Sequence, residues 1–256
     1  MQPQNSPLQS IPNFRDVGEF INKTTGSQTE HIEQAQKRDA RINASAAVPQ
    51  SNEDVTEPLK IPDITYHEIN FNGSAFSRML ISKLTWMEFF RLAGLMIFGY
   101  RLDAIKILAP HMEEMGLVGL ATESLDVCTK EVKQVFDVLA DERNWPVMVH
   151  CTQGKDRTGL VVMLLLFLLK VDVAAIDKDY MISESELEAE KPARVKEIAA
   201  IGLSERFACC APETVRSVQK HLDMKYGGVD KYLLSTGVTD EVLVRVRQIL
   251  QADDRV

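Results

Sequence analysis

Cys151 and Arg157 stand six positions apart in the run His-Cys-Thr-Gln-Gly-Lys-Asp-Arg-Thr-Gly at residues 150–159. The five residues between them are small or polar, which suits a loop whose backbone N–H groups turn inward around one tetrahedral anion. A helix that follows such a loop adds the positive end of its dipole. Arg157 would close the cradle, because its planar fork donates two parallel hydrogen bonds to phosphate oxygens. Cys151 then lies beneath the phosphorus as the nucleophile. The pattern points to a cysteine-dependent phosphatase.

A free thiol has a pKa of ~8.5, and helix N-termini and nearby cations lower it to roughly 3.5–7.5. The amides of residues 152–157, with Lys155 and Arg157, supply that field around Cys151. The thiolate would attack phosphorus in line to give a cysteinyl-phosphate, which water then hydrolyses. Transferring phosphoryl groups carry their charge on the equatorial oxygens, and Arg157 is assigned to it. The Thr158 hydroxyl is placed to donate to Cys151 and stabilise it as a leaving group. Asp156 is the candidate general acid. Its alternative is to pin the loop by accepting backbone N–H bonds, and geometry decides between the two. Asp141 precedes Trp145-Pro146, but the chain contains no Trp-Pro-Asp tripeptide to serve as a separate mobile acid. Lys155 is expected at the lip of the pocket, adding charge for substrates with further phosphates. Cys151, Asp156 and Arg157 thus form the catalytic set, and Thr152, Gln153, Gly154, Lys155 and Thr158 the phosphate-binding set. The chemistry requires no metal or other cofactor, and no cluster with metal-ligand spacing is apparent.

The elements that must position this loop are legible on either side. Trp-Pro-Val-Met-Val-His at residues 145–150 reads as a short buried strand. Ten consecutive apolar residues, 160–169, are too few to span a bilayer, which takes roughly 20. They read as a central helix packed on every side. Residues 64–71 have strand-like content, and residues 76–116 read as helices. Within those helices Trp86, Phe89, Phe90, Leu92, Leu95, Met96, Ile97 and Phe98 make a conspicuous apolar patch. Core packing is its expected role, with a lid or membrane-surface contact as the alternative. Cys128, Val132, Val135, Phe136 and Leu139 follow helical spacing and are expected to cover a sheet. Val215, Val218 and Leu222 do likewise, with Gly227-Gly228 as a stop. Val242, Leu243, Val246, Ile249 and Leu250 form a last amphipathic helix capped by Thr239.

Three further stretches accompany the loop. Ile-Pro-Asn-Phe-Arg-Asp-Val-Gly stands at residues 11–18, and Asp179-Tyr180 lies beyond the apolar helix. Tyr-Gly-Gly-Val-Asp-Lys-Tyr-Leu at residues 226–233 runs on to Gly237-Val238. Together with the loop these resemble the tyrosine phosphatase family whose signature contains Gly-Lys-Asp-Arg, a group that includes secreted bacterial and many fungal proteins. The resemblance extends from residue 11 to about residue 250, with residues 19–60 poorly matched. It implies an α/β cysteine-phosphatase fold, a central sheet flanked by helices, with a candidate helical lid. It also implies hydrolysis of phosphotyrosine, with phosphoserine, phosphothreonine and phosphoinositides as further substrates. The family's catalytic cysteine, aspartate and arginine fall on Cys151, Asp156 and Arg157. Lys155 matches a lysine associated with broader, lipid-tolerant specificity. After residue 18 the family usually continues through further strands, whereas this chain passes almost directly to Thr29-Glu30-His31. One sheet element is therefore expected to be missing.

The whole chain bounds the remaining choices. Its 256 residues, 45% hydrophobic, can bury one sizeable core, so residues 11–256 read as one catalytic domain behind a loose tail, 1–10. A net charge of −8 argues against non-specific nucleic-acid binding, which needs a basic footprint. The four cysteines, Cys128, Cys151, Cys209 and Cys210, give neither a zinc spacing nor a disulfide framework. A thiolate nucleophile favours a reducing compartment, and no secretory signal or transmembrane segment is evident, so cytoplasmic residence is expected. Partners are then a phosphorylated protein or a phosphoinositide, with transient membrane-surface contact. Phosphoinositide hydrolysis and an inactive phosphatase-like binding module are the alternatives to protein dephosphorylation. An arsenate reductase shares the cysteine-arginine loop but needs a resolving thiol beside Cys151. A nucleotide-binding P-loop fails, because Val149 occupies the first glycine position and Asp156 follows the lysine.

Overall fold

The computed structural model describes residue 17, residues 21–22 and residues 64–251. Ten α-helices follow one another through the continuous part. They are α1 (Ser74–Ser82), α2 (Trp86–Ile97), α3 (Arg101–Val127), α4 (Thr129–Leu139), α5 (Asp156–Leu168), α6 (Val173–Glu186), α7 (Lys191–Ala200), α8 (Thr214–Tyr226), α9 (Val229–Ser235) and α10 (Asp240–Leu250).

The expected α/β architecture is corrected at this point: among the described residues there is no strand and no sheet. The apolar run before the loop is extended at Trp145, yet Met148 is 53% exposed and His150 is exposed too. A strand needs a neighbour to take its N–H and C=O groups, and no described segment pairs with this one. Residues 64–71 fare alike. Residues 65–68 are exposed, and the segment ends in a turn where the Gly73 amide donates to the Asn70 carbonyl. The helices expected to cover a sheet cover α5 instead. The opening motif at 11–18 lies outside the described residues apart from Val17, and the stretch in which a sheet element was expected to be missing does so apart from residues 21–22.

α5 is the centre of the main core. Leu160, Val161, Met163, Leu164, Leu166, Phe167 and Leu168 are all buried, so its apolar residues leave no solvent stripe. Around it pack Leu125 of α3, Val132 and Phe136 of α4, Tyr180 of α6, Val218 and Leu222 of α8, Tyr232 of α9 and Leu243 and Val246 of α10. Gly159 allows one close approach, because a Cβ there would lie 3.2 Å from the Tyr180 ring. α8 stops where its spacing predicts: the Gly227 amide donates to the Asp223 carbonyl and the Gly228 amide to the Leu222 carbonyl. α10 begins on Thr239, whose side chain accepts from the Val242 amide.

α3 is the longest helix, 27 residues, and it is broken at Gly116. There φ is 64° and ψ is −176°, a conformation open essentially to glycine alone. Ala104 and Ile107 belong to a small cluster with Leu92 of α2. Ala109 joins a second cluster with Ile198, Leu203, Phe207 and Ala208. Beyond the break, Leu125 enters the main core.

The patch on α2 also departs from expectation. Leu92 is its one buried residue, and Trp86, Met87, Phe90, Ile97 and Phe98 stand in solvent. Core packing would require an element over them, and no described element covers that face.

Candidate active site

α5 starts at Asp156, so Cys151 opens a loop that leads directly into the N-terminus of a buried helix. Gly154 takes a positive φ of 63°, the bend that lets this short segment curl back on itself. Cys151 is half-buried. Desolvation alone would raise its thiol. Hydrogen bonds from the Thr158 hydroxyl and amide and from the Gln153 amide, with the charge of Arg157, outweigh that and hold it below the ordinary thiol value.

Arg157 Nη2 donates to Thr152 Oγ1 at 2.9 Å, so the guanidinium folds over the loop and not away from it. Asp156 is the first residue of α5, with 49% of its side chain reachable by solvent. The surrounding protein still desolvates the carboxyl enough to raise its pKa, against the opposing influence of Lys155, Arg194 and Arg157. A thiol pushed down beside a carboxyl pushed up is the electrostatic arrangement of a nucleophile next to a proton donor.

Lys155 differs from its expected place at the lip. It is 1% exposed, and its Nζ donates to the carbonyls of Phe207 at 3.2 Å and Cys209 at 2.9 Å. It also lies 3.6 Å from Asp156 Oδ1. A lysine buried this deeply must find acceptors, and these two carbonyls supply them. The ammonium therefore ties the loop to residues 205–210 and adds no charge to the open side.

That segment is fixed from other directions as well. Glu113 of α3 accepts from the Ser204 amide and hydroxyl and pairs with Arg206 at 2.7 Å. Glu184 of α6 accepts from the Cys210 amide and pairs with Lys191 at 3.1 Å. Cys210 is buried and its thiol is pushed up to about 11 by desolvation, so it stays protonated at neutral pH. Tyr180 is buried beside Gly159, and its backbone carbonyl faces the Cys210 thiol at 4.0 Å.

Sequence reasoning brought Cys151, Thr152, Gln153, Gly154, Asp156, Arg157 and Thr158 to one loop, and the structure keeps them together. It missed Arg194, Glu113 and Glu184, which approach from helices distant in the chain. No local spacing announces such residues. His150 is exposed and stands at the edge of the site. Among the described residues no group of three His, Cys, Asp or Glu side chains is placed to hold a metal ion, and no helix is long and apolar enough to cross a membrane.

Cys151 opens a loop that runs into a helix N-terminus, with Arg157 folded back onto Thr152, an arrangement suited to a bound tetrahedral anion. The comparisons with known proteins carry the same sense. Residues 50–252 match the family described as the tyrosine phosphatase family, and the chain belongs to that family. It is 33% identical over 127 residues to a tyrosine-protein phosphatase of Nostoc commune, covering 46% of this chain and 43% of that protein. It is 27% identical over 136 residues to the triple specificity protein phosphatase PtpB of Mycobacterium tuberculosis, covering 47% of this chain and 49% of that one. A shorter match, 34% over 56 residues and 22% of each chain, is to an inositol diphosphatase of Arabidopsis thaliana. The chain thus spans about half the length of the two bacterial relatives.

Proposed function

We propose that this chain is a cysteine-dependent phosphatase that hydrolyses phosphotyrosine monoesters, and phosphoserine and phosphothreonine with them. Cys151 attacks phosphorus, forming an S–P bond as the ester P–O bond breaks. Asp156 gives its proton to the leaving oxygen. Arg157 and the amides of Thr152, Gln153 and Gly154 hold the equatorial oxygens. Asp156, now a carboxylate, takes a proton from the attacking water. The S–P bond then breaks to release phosphate, with Thr158 stabilising the departing thiolate. The observation that carries this reading is Cys151 at the start of a loop that enters the α5 N-terminus at Asp156, with Arg157 folded onto that loop through Thr152.

A second reading, hydrolysis of phosphoinositides or inositol phosphates, draws support from the relative named inositol diphosphatase. The burial of Lys155 weakens it, because the lip then lacks the extra cation such substrates would use.

The test is phosphate release from a phosphotyrosine peptide and a soluble phosphoinositide, with wild type beside Cys151→Ser and Asp156→Asn, across pH. Release that requires Cys151 is expected, with the peptide preferred. Sign follows from the shifts. Cys151 keeps its negative charge below the ordinary thiol pKa, and Asp156 keeps its proton above the ordinary carboxyl pKa. Turnover of poor leaving groups should therefore fall on the alkaline side as Asp156 ionises, and Asp156→Asn should remove that limb. A folded wild type that releases phosphate from neither substrate would turn the reading toward a phosphate-binding module.

A further inference from the structure

The exposed apolar face of α2 is independent of the phosphate loop and of the chemistry proposed for it. Trp86, Phe90, Ala93 and Ile97 recur at helical spacing, so they lie along one stripe, and Trp86 stacks on Phe90 at 6.2 Å between ring centroids. Trp86 is 79% exposed and Ile97 81%, and the stripe continues past the helix end through exposed Phe98, Tyr100 and Leu102. A soluble surface rarely leaves aromatic and aliphatic side chains contiguous in this way unless they meet something.

The charge around the stripe says what. Residues 74–106 carry five basic side chains against two acidic ones, in a chain whose net charge is −8. Two of the five are occupied, Lys83 by Glu123 and Lys106 by Asp103, each at 3.0 Å. Arg78, Arg91 and Arg101 are exposed and have no carboxylate partner among the described residues. Arg91 is one turn beyond exposed Met87 on α2, and Arg101 follows Tyr100 at the end of the stripe. Exposed aromatic and aliphatic groups bordered by unpaired arginines are what an anionic lipid surface recognises: the apolar groups enter the headgroup boundary while the cations meet lipid phosphates and carboxylates.

We propose that α2 and the start of α3 form a docking surface for an anionic lipid bilayer. The chain lies on the membrane through Trp86, Phe90, Ile97 and Phe98, with Arg91 and Arg101 holding anionic headgroups.

Flotation of the full chain with two kinds of vesicle tests this, one of phosphatidylcholine alone and one of equal parts phosphatidylcholine and phosphatidylserine. Capture by the anionic vesicles is expected, about tenfold or more above the neutral ones, and it should fall as salt is raised. The double variant Arg91→Gln/Arg101→Gln should lose about tenfold in partition to anionic vesicles. Trp86→Ser/Phe90→Ser should lose capture altogether, with circular dichroism unchanged. If that pair fails to fold, the arginine variant, whose side chains meet no carboxylate among the described residues, still decides the matter. Cys151→Ser should float as wild type does, which separates this result from the outcome for phosphate release. Three results would overturn the proposal: no capture by either vesicle, equal capture by both, or a concentration-dependent dimer in sedimentation that Phe90→Ser dissolves.

Discussion

α2 and α5 are both rich in apolar side chains, yet α5 buries seven residues and α2 buries one. The difference lies in how each helix is held. α5 is surrounded by six other helices and would expose a large apolar area if any withdrew. α2 packs on one side only, through Leu92 against Ala104 and Ile107 of α3, and is otherwise held by its own N-terminal cap. Thr85 Oγ1 accepts from the Glu88 amide, while the Glu88 carboxylate accepts from the Thr85 amide at 2.8 Å, a reciprocal cap that satisfies two orphan donors without tertiary help. Composition fixes that a segment is helical and apolar; the neighbours decide whether its apolar side becomes core or surface.

Truncations sharpen the contrast. Leu168→Ala, at a fully buried position of α5, should cost about 3 kcal/mol in unfolding free energy, readable from denaturant midpoints. Lys155→Met, at the α5 N-terminus, should cost about 2 kcal/mol, because two buried carbonyls lose their donor. It should also raise KM more than it lowers kcat if residues 205–210 shift the loop they brace. Phe90→Ala on α2 should change stability by less than about 0.5 kcal/mol. A loss near that of Leu168→Ala would mean that α2 is covered in solution, and the contrast between the two helices would collapse.

The chemistry was readable from sequence because it is local. Cys151 through Thr158 are consecutive, and a loop that enters a helix N-terminus brings their polar atoms together with no help from the rest of the chain. Helix stops and caps were readable for the same reason, Gly227 and Thr239 acting through bonds only a few residues long. The errors arose where a segment's state depends on distant partners. Residues 145–150 have strand composition, but composition supplies no second strand. Lys155 reads as a cation at the lip of the pocket until Phe207 and Cys209, more than fifty positions later, present their carbonyls to it. The α2 patch reads as core for the ordinary reason that apolar clusters are usually covered.

The break at Gly116 has a bearing on how the chain can be divided. α3 passes through all three apolar clusters, the first shared with α2, the second with α7 and residues 203–208, the last with α5. A protease cut or an expression boundary at the bend, inviting as its backbone makes it, would leave every fragment with an open wound. The piece ending there would keep Ala109 without Ile198 and Phe207, and the piece beginning there would keep Ser204 and Arg206 without Glu113. A cut within α3 therefore does not divide this protein into sound pieces, since the longest helix among the described residues offers no seam.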